Sequence, residues 1–452
     1  MKELNIAYIG GGSRAWARNL MNDLVLEPEL TGNVRLYDIN HEAAGMNEKI
    51  GNLYNEAEGA RTTWRYRTSD TLDEALADAD FVVISILPGT FDHMENDVHY
   101  PEKFGIYQSV GDTTGPGGIM RSVRAIPMYE YIAERVKSIC PRAYIISYTN
   151  PMTVLVKTIY EVFPEAKVFG CCHEVFGTQG LIAKILKHSG IAENACRHEI
   201  KTNVLGINHF TWMDHIEFKG KEIMPEYMKF AEMHSKTGYC DSGKWNDTYF
   251  SSGNRVKFDL LLQYGIAAAA GDRHLAEFCP GWYLKDPETA AQWQFSLTPV
   301  SWRKQDRRQR EEKTKRLFRE KEKPVITETG EEGVGLIKAL SGLSWIKSNV
   351  NLLNTGQHEG LPLGAVVETN AEFSIDGIKP IPAGRLPKEV EILVLRHVYN
   401  QNLLVEACLQ RDSEKVFEVL LNDPLVHLKK TAARRLFDDM FELNKEFWNR
   451  GR

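Results

Sequence analysis

The sequence predicts an α/β fold, with an N-terminal Rossmann-like, doubly wound parallel sheet and a C-terminal α+β, helix-rich substrate domain. Two observations support this prediction. Short buried apolar runs alternate with helical patterns along the first part of the chain, which is typical of parallel strands joined by crossover helices. A glycine-rich turn also separates the first apolar run from the first helical pattern, as it does in dinucleotide-binding domains.

The strands of the predicted sheet are short apolar runs separated by helical spacing. They cover Leu4–Gly10, Val34–Asp38, Phe81–Ile86, Ala143–Tyr148 and Val168–Gly170. Apolar residues at intervals of three and four predict helices between them, at Trp16–Leu26 and around Ile126–Ile139. This alternation of strands and helices is what predicts the parallel sheet.

The pattern changes near residue 195, so we predict two domains, 1–195 for nucleotide binding and 196–452 for catalysis, substrate binding and oligomerisation. Strand-like pieces at Glu199–Ile207 and Trp212–Lys219 precede a helix-rich stretch from Val256 onward. Amphipathic patterns at Glu389–Leu421 and Leu428–Trp448 predict C-terminal helices that cover the core.

One segment of the second domain, Arg303–Lys323, is dense in Arg, Lys and Glu. Opposite charges three and four residues apart stabilise exposed helices. We interpret the segment as an exposed helix and assign it no chemistry.

The composition is that of an ordinary globular chain of 452 residues, 43% hydrophobic and 26% charged. A net charge of −6, from 55 basic and 61 acidic side chains, gives no overall positive field to attract nucleic acid or an anionic membrane. No apolar run approaches the roughly 20 residues of a membrane span, and no signal-peptide core follows Met1. We therefore expect a cytoplasmic protein whose partner is a small molecule.

The glycine-rich turn fits the pattern G-x-G-x-x-G/A, with Gly10, Gly12 and Ala15 at its three key positions. Asp38 ends the next predicted strand, 26 residues after Gly12 (38 minus 12). Such glycines let the backbone approach a pyrophosphate, and a carboxylate at the second strand binds the ribose hydroxyls of NAD and repels the 2′-phosphate of NADP. Candidate NAD-binding residues are thus Gly10, Gly12, Ser13 and Asp38, the alternative being a tight turn that binds no nucleotide.

Cys172 and His209 each follow a predicted strand, 37 residues apart (209 minus 172). One thiolate and one imidazole could form half of a site for a divalent transition metal, leaving positions open for substrate oxygens. Taken alone, the pair is better explained by a buried free cysteine and a core histidine. The seven cysteines are scattered and odd in number, which argues against a disulfide framework.

Three further loops carry polar residues that could contact a ligand. Asn150 ends a strand before a proline, and Gly111–Gly118 places four glycines and a proline around Asp112. Gly271–His274 gathers three ionisable side chains. The simpler interpretations are an ordinary turn, a plain surface loop and a charged helix end.

Several long motifs together resemble glycoside hydrolase family 4, whose members require NAD and a divalent metal, and within it the branch that acts on α-galacturonides. The matching segments are IAYIGGGSRAWARNL, SILPGTFD, YQSVGDTTGPGGIMRSVRAIP, YTNPM, GCCHEVFGTQ, VLGINHFTW, GDRHLAEF and NTGQHEGLPLGAVVETN. They run through nearly the whole chain, so the resemblance is specific.

The resemblance implies that Cys172 and His209 bind the metal, usually manganese, and that Asn150 holds substrate hydroxyls. Where phosphoglycosidases of the family commonly have an Asp after the metal-binding Cys, this chain has His173. The identity of the acid for the leaving group is therefore open, and His173 and Asp112 are counted among the candidate catalytic residues.

The base is a Tyr in many phosphoglycosidases of the family. The matching region here offers Asp272, with Tyr264 upstream as the second candidate. A uronide also carries a carboxylate, which an arginine can pair bidentately. Arg273 is the first candidate for this role and Arg124 the second.

The activity implied by the resemblance is the hydrolysis of α-galacturonides, releasing galacturonic acid from small pectin-derived oligosaccharides. It proceeds in this family by transient oxidation of C3 by NAD, deprotonation of C2, elimination and water addition, an exception to the mechanism with two carboxylates. We expect a homodimer or homotetramer. The alternatives are an α-glucosidase or α-galactosidase of the same family, a lactate- or malate-type 2-hydroxy-acid dehydrogenase, and a module that only binds NAD.

Overall fold

The fold contains a nine-stranded sheet, whose strands lie between Lys2 and Pro380 in the sequence. The computed structural model describes residues 1–241, 243–319 and 324–449. Within these residues the strands are β1 (Lys2–Ile9), β2 (Leu30–Tyr37), β3 (Trp64–Thr68), β4 (Phe81–Ile84), β5 (Tyr144–Ser147), β6 (Lys167–Gly170), β7 (Ile200–Ile207), β8 (Phe210–Phe218), β9 (Lys221–Glu222), β10 (Ala267–Ala268), β11 (Ile346–Leu353), β12 (His358–Glu359), β13 (Val366–Ser374), β14 (Gly377–Pro380) and β15 (Gly384–Arg385).

Helices connect and cover these strands. In the same described residues they are α1 (Trp16–Leu26), α2 (His41–Tyr54), α3 (Leu72–Leu76), α4 (Phe91–His99), α5 (Gly115–Ile139), α6 (Met152–Val162), α7 (Glu174–His188), α8 (Met224–His234), α9 (Arg255–Tyr264), α10 (Asp272–Phe278), α11 (Pro287–Gln292), α12 (Val300–Arg319), α13 (Gly333–Leu340), α14 (Lys388–Gln410), α15 (Ser413–Asn422), α16 (Lys430–Glu442) and α17 (Lys445–Trp448). None of the helices in the described part of the chain is both long and apolar enough to cross a membrane.

The order of strands in the large sheet is β14-β13-β11-β6-β5-β4-β1-β2-β3. Strands β1 to β6 pair in parallel, in the order of a doubly wound dinucleotide-binding sheet. The predicted Rossmann-like fold class is thereby confirmed. The sequence analysis did not predict β3, in which Trp64 and Tyr66 are buried while Arg65 and Arg67 are exposed.

The second half of the chain completes the sheet of the first half. Strand β11 joins the edge of β6 in antiparallel orientation, with Asn351 opposite Gly170, and β13 and β14 follow. The segments 1–195 and 196–452 therefore share one sheet and are not separate in their packing. A smaller sheet in the order β10-β8-β7 lies within the second segment, with β9 paired to β8.

Both faces of the large sheet are covered by helices, as expected when parallel strands are apolar on both sides. On one face the core includes Val123 of α5, Leu404 of α14 and Phe437 of α16. On the other face it includes Leu24 of α1 and Ile337 of α13. The C-terminal helices therefore cover the N-terminal sheet, as their amphipathic patterns predict.

The charged segment forms most of α12, and pairs such as Arg307–Glu311 and Asp306–Arg310 join its successive turns. Residues 320–323 of the predicted helix lie outside the described residues. The helix is not only a solvated surface, because Arg14 at the N-terminal end of α1 forms an ion pair with Glu311, 3.1 Å away. Helix α12 therefore lies close to the glycine-rich turn.

Candidate active site

A cavity of about 450 Å³, within the range of small-molecule sites, opens where β5 and β6 end and the β7–β8 hairpin turns. Ligands of open α/β sheets bind at this carboxyl edge. Seven of the predicted site residues line it, namely Asp112, Asn150, Cys172, His173, His209, Asp272 and Arg273. Further lining residues include Trp16, Glu174, Phe250, Ser252, His274 and Arg303. The sequence analysis thus selected residues from five different segments of the chain that meet in one cavity.

Three side chains in the cavity could hold a metal ion together. One ligand atom from each of Asp112, His209 and His274 lies within 4.8 Å of the others. Thr113 Oγ1 donates to Asp112 Oδ1 over 2.7 Å and lies 2.8 Å from His209 Nδ1. Since this hydroxyl proton goes to Asp112, the oxygen accepts from Nδ1–H and leaves Nε2 of His209 as the ligand atom.

The protonation of this group suits metal binding. Burial and the neighbouring His274 lower the pKa of His209 to about 3, and burial lowers the pKa of His274 as well. Burial alone would raise the pKa of Asp112, but the nearby His274 and Arg121 bring it below its ordinary value. His274 Nδ1 is buried without a hydrogen-bond partner among the described residues. Two neutral imidazoles and a carboxylate are a donor set that binds divalent transition metals, so the residues fit the implied metal.

Cys172 lies on the same cavity but is not part of this three-residue group. Burial and the nearby Glu368 carboxyl raise the pKa of its thiol well above the ordinary range. The two predicted metal ligands therefore share a cavity, with His209 inside the three-residue group and Cys172 beside it. Asp112, predicted as a catalytic residue, and His274, which the sequence analysis left unassigned, complete the group.

His209 owes its position to a two-residue turn between β7 and β8. Its φ of 64° is left-handed, a conformation that few residues with side chains adopt without support from their surroundings. The preceding Asn208 donates from Nδ2 to Glu368 Oε2 over 3.2 Å, and Asn349 and Asn351 donate to the same carboxyl group. Glu368 lies on β13 of the large sheet, so this buried network fixes the hairpin turn to that sheet.

Glu174, to which the sequence analysis assigned no role, lies beside His274. Its Oε2 accepts from Gly271 N over 2.7 Å, and its Oε1 lies 3.7 Å from His274 Nε2. Burial would raise the pKa of Glu174, but His274 and His209 together bring it down to about 2. A carboxylate beside a liganding histidine fixes the orientation of the ring.

Asp272 begins α10 and caps the N-terminus of α9. Its carboxylate accepts from Val256 N over 3.3 Å and from Lys257 N over 3.1 Å. Burial raises its pKa to about 6, although Lys257 and these hydrogen bonds oppose the rise. Tyr264, the second candidate base, packs edge-on against Trp212 and is not among the residues that line the cavity.

His173 and Asn150 both have groups available to a ligand. His173 Nδ1 lies 3.4 Å from Glu331 Oε1, and this carboxylate raises the pKa of the imidazole. The ring stacks on Trp16, with centroids 5.6 Å apart. Asn150 donates from Nδ2 to Asp112 Oδ2 over 3.4 Å, whereas its Oδ1 is buried without a partner among the described residues.

The two predicted arginines differ in position. Arg273 lines the cavity, where its Nε donates to Ser296 O and its Nη2 to Ser109 O and Thr298 Oγ1. Arg124 is buried elsewhere, in an ion pair with Asp97 that includes a 3.0 Å bond from Nη1. Arg124 is therefore committed to another carboxylate outside the cavity, and its position does not support the predicted contact with substrate.

Arg303, in the first turn of α12, is a cavity residue to which the sequence analysis assigned no chemistry. It is half-buried, and within the described ranges its guanidinium has neither an ion pair nor a hydrogen bond. Burial and the neighbouring Arg303 lower the pKa of Arg273 to about 10. Two cations thus lie side by side at the cavity, and such a pair favours an anionic ligand.

The glycine-rich turn lies next to the cavity. Gly10 has a left-handed φ of 92°, and a Cβ atom there would collide with the carbonyl oxygen of Ser85. Gly12 N donates to Asp38 Oδ2 over 2.9 Å, and Ser13 N donates to Gly10 O over 2.9 Å. No side chain caps the N-terminus of α1, whose N-cap residue is Ala15. Free backbone N–H groups at a helix N-terminus bind phosphates, so this turn fits the pyrophosphate of NAD.

Comparisons with known proteins show which family the chain belongs to. The model of the family 4 glycosyl hydrolases matches residues 5–188, and the model of their C-terminal domain matches residues 204–426. An alpha-galacturonidase of Thermoanaerobacterium saccharolyticum is 54% identical over 448 residues, covering 98% of this chain and 96% of that protein.

Solved structures show the same fold. The crystal structure of lplD from Bacillus subtilis has a TM-score of 0.93 and 48% identity, covering 97% of this chain and 100% of that one. A 6-phospho-alpha-glucosidase from gut microorganisms, solved in complex with NAD and Mn²⁺, has a TM-score of 0.82 at 18% identity and covers 99% of both chains. The family resemblance predicted from the motifs is confirmed, and the alternative of a 2-hydroxy-acid dehydrogenase is not favoured. The chain belongs to the family 4 glycosyl hydrolases.

Proposed function

We propose that this protein hydrolyses α-galacturonides and releases galacturonic acid from small pectin-derived oligosaccharides, with the help of NAD and a divalent metal such as Mn²⁺. The observation that carries the proposal is the meeting of three features in one cavity. These are the three-residue group Asp112, His209 and His274, the cations Arg273 and Arg303, and Trp16 at the start of the helix that follows the glycine-rich turn. The identity of 54% to an alpha-galacturonidase supports the choice of substrate.

The metal would be held by Asp112, His209 and His274, with the Cys172 thiolate as a further candidate ligand. NAD would lie along the turn from Gly10 to Ser13, with its ribose hydroxyls near Asp38. When bound, NAD takes up a hydride from C3 of the sugar and returns it, and the metal withdraws charge from the sugar oxygens, so that the net reaction is hydrolysis. Residues 1–195 would supply the nucleotide site, and residues 196–452 would supply His209, Asp272 and the arginines.

Asp272 is the proposed base that removes the proton at C2. Its pKa near 6 lets a buried carboxylate be ionised at neutral pH and still accept a proton readily. The hydrogen bonds from Val256 N and Lys257 N keep the carboxylate in one orientation. Tyr264, on the outside of the cavity, remains only a second candidate.

His173 is the proposed acid for the leaving oxygen. Glu331 raises the pKa of its imidazole, which favours the protonated form that can donate. Stacking on Trp16 holds the ring at the cavity wall. Asn150 Oδ1, which lacks a partner in the described structure, would accept a hydrogen bond from a sugar hydroxyl.

Arg303 and Arg273 would bind the C6 carboxylate of the uronide. Arg273 already donates hydrogen bonds from Nε and Nη2 to other acceptors. In the described residues, the donors of Arg303 are all available. A charge-assisted, bidentate hydrogen bond to a carboxylate is the interaction that arginine geometry favours. We therefore assign the larger part of the preference for a uronide over a neutral hexoside to Arg303.

The test is a comparison of substrates under controlled cofactor conditions. The purified protein is incubated with 4-nitrophenyl α-galacturonide, α-galactoside and α-glucoside, each with and without NAD and Mn²⁺. We expect release of nitrophenol from the galacturonide alone, only when both additions are present, and without net formation of NADH. Equal rates on the galactoside would contradict the uronide assignment, and stoichiometric NADH would indicate a dehydrogenase.

A further inference from the structure

Three aromatic side chains form a cluster that we call the aromatic rim: Tyr249, Phe250 and Trp302. The ring centroids of Phe250 and Trp302 are 5.1 Å apart at 72°, and those of Tyr249 and Trp302 are 5.8 Å apart at 58°. Tyr249 and Phe250 lie in the loop between α8 and α9, and Trp302 lies in the first turn of α12. Two separate parts of the chain therefore meet to build the rim.

Two residues of the rim, Tyr249 and Phe250, are exposed although they are large and aromatic, and Trp302 is half-buried. The exposed fraction is 54% for Phe250 and 37% for Tyr249. Leaving aromatic surface in water forgoes the stabilisation that its burial would give. A contiguous exposed apolar patch of this kind is typical of a binding surface.

The rim is continuous with the cavity. Phe250 lines the cavity, as does Ser252 two residues later. The Arg273 guanidinium lies 5.2 Å from the centroid of the Phe250 ring, and Arg303 directly follows Trp302 in the chain. A ligand that fills the cavity and extends outward on this side would pass over the rim.

The chemistry of the rim suits a sugar ring. One face of a pyranose carries several C–H groups with slight positive charge, and the face of an aromatic ring is slightly negative. Rigid aromatic side chains offer a large contact area and lose little conformational entropy on binding. A platform with these properties binds a pyranose by its apolar face and is insensitive to the pattern of its hydroxyls.

We propose that the aromatic rim is the subsite for the leaving sugar, a pyranose ring joined through its oxygen to C1 of the galacturonide in the cavity. This inference rests on the proposed function, since it assumes that the cavity holds the galacturonide. It assigns the preferred substrate as a disaccharide or longer oligosaccharide, not a galacturonide with a small alkyl group.

The experiment compares kcat/KM for digalacturonate and for methyl α-galacturonide, whose aglycone is too small to stack. The variants are Trp302→Ala, Trp302→Phe and Phe250→Ala, together with Trp345→Ala as the matched control. Trp345 is exposed, at 60%, and neither lines the cavity nor belongs to the aromatic rim. Thermal unfolding and NAD affinity establish that each variant is folded.

We expect the ratio of kcat/KM for digalacturonate over methyl α-galacturonide to fall about tenfold in Trp302→Ala, in line with the loss of one stacking contact. The loss is expected mainly in KM, with partial recovery in Trp302→Phe, a similar fall in Phe250→Ala and no change in Trp345→Ala. If Trp302→Ala does not fold, Phe250→Ala decides the question, because its side chain is more than half exposed.

An unchanged ratio in both alanine variants would overturn the subsite while leaving the proposed function intact. A fall in the ratio in Trp345→Ala as large as in Trp302→Ala would also overturn it. If the rim variants only change the oligomeric state, the rim is a contact between copies of the chain and the subsite is wrong. If the unmodified protein hydrolyses neither galacturonide, the proposed function fails first, and the two failures are thus distinguished.

Discussion

The imidazole rings of His209 and His274 are stacked, with centroids 3.7 Å apart and planes 30° from parallel. Two charged imidazolium groups at this distance would repel each other strongly, and burial disfavours their charge further. The stack therefore requires at least one neutral ring, and the lowered pKa values of both histidines meet that requirement. Neutral imidazoles close to a carboxylate are ready to bind a metal without first losing a proton.

The first prediction is that His274→Ala lowers the affinity for Mn²⁺ by more than about tenfold. Even the loss of a residue that only hydrogen-bonds to a metal ligand typically lowers metal affinity by about tenfold or more. A titration of the protein with Mn²⁺ followed by electron paramagnetic resonance measures the affinity directly. The same titration on Asp112→Asn should show a weakened affinity as well.

Cys172→Ser tells whether the sulfur also binds the metal. Replacing Mn²⁺ by Co²⁺ gives a thiolate-to-metal absorption band if Cys172 is a ligand, and the serine variant would lack it. Unchanged Mn²⁺ affinity in His274→Ala, together with such a band, would mean that the metal is held by Cys172 and His209, as the family resemblance implies.

The second prediction concerns Asp38 and the choice of cofactor. Asp38 Oδ2 accepts from Gly12 N and Oδ1 accepts from Asn40 N, so the carboxylate both fixes the turn and faces the predicted ribose. Asp38→Asn keeps an acceptor and loses the charge. We expect NAD to bind more weakly and the 2′-phosphate of NADP to be repelled less. The ratio of Kd for NADP to Kd for NAD should therefore fall toward one. An unchanged ratio would show that Asp38 does not face the ribose.

The third prediction is that hydrolysis in D2O places deuterium at C2 of the released sugar, and that Asp272→Asn suppresses this exchange. The asparagine variant can still cap α9 through its amide oxygen but cannot accept the proton. Nuclear magnetic resonance of the product measures the deuterium. Tyr264→Phe is the control, because Tyr264 lies outside the cavity lining, and loss of exchange in this variant alone would reverse the order of the two candidates.

Much of the fold could be predicted because short apolar runs and helical spacing in the sequence indicate its strands and helices. The parallel strands β1, β2, β4, β5 and β6 are apolar runs that any short window shows. Strands β11 and β13 bury polar residues, namely Asn349, Asn351 and Glu368, so their apolar pattern is weak. The pairing of β11 with β6 also joins residues about 180 positions apart, as in Gly170 opposite Asn351, which no local signal reveals.

Part of the candidate site could also be predicted from local sequence patterns. Asp112, Asn150, Cys172 and His209 follow strands or lie in glycine-rich loops, and sheet topology brings such positions together. His274 was visible only as one charge in the cluster Gly271–His274. Arg303 lies in a segment whose composition matches an exposed helix, and only the three-dimensional structure shows that its first turn reaches the cavity.

The fourth prediction is that Arg303→Ala lowers the ratio of kcat/KM for the 4-nitrophenyl galacturonide over the galactoside by about tenfold or more, the scale of one charge-assisted contact. Arg124→Ala is not expected to act on this ratio, because Arg124 pairs with Asp97 outside the cavity. Arg303→Lys should recover part of the preference through its charge. If Arg273→Ala abolishes the preference and Arg303→Ala does not, Arg273 is the carboxylate partner.

The fifth prediction concerns stability and Glu277, at the end of α10. Its Oε1 accepts from Val110 N over 2.7 Å and from Gly111 N over 2.9 Å, which fixes the loop that carries Asp112. Its Oε2 is buried without a partner in the described residues. Burial raises the pKa of Glu277 from 4.5 to about 7, so the folded protein keeps a proton that the unfolded chain releases near pH 4.5.

Between about pH 4.5 and 7 the folded state therefore binds more protons at Glu277 than the unfolded state does. The contribution of Glu277 to the free energy of unfolding must therefore fall as the pH rises through this interval, by at most about 1.4 kcal/mol per pH unit for one group. Glu277→Gln keeps the acceptor for Val110 N and Gly111 N and removes the titration. Urea denaturation at pH 5 and pH 7 should show a smaller loss of stability in the variant than in the unmodified protein. Because Asp112, His209 and the other titrating groups are common to both proteins, their contributions largely cancel in this difference. Parallel losses in the two proteins would mean that Glu277 is already ionised in the folded state.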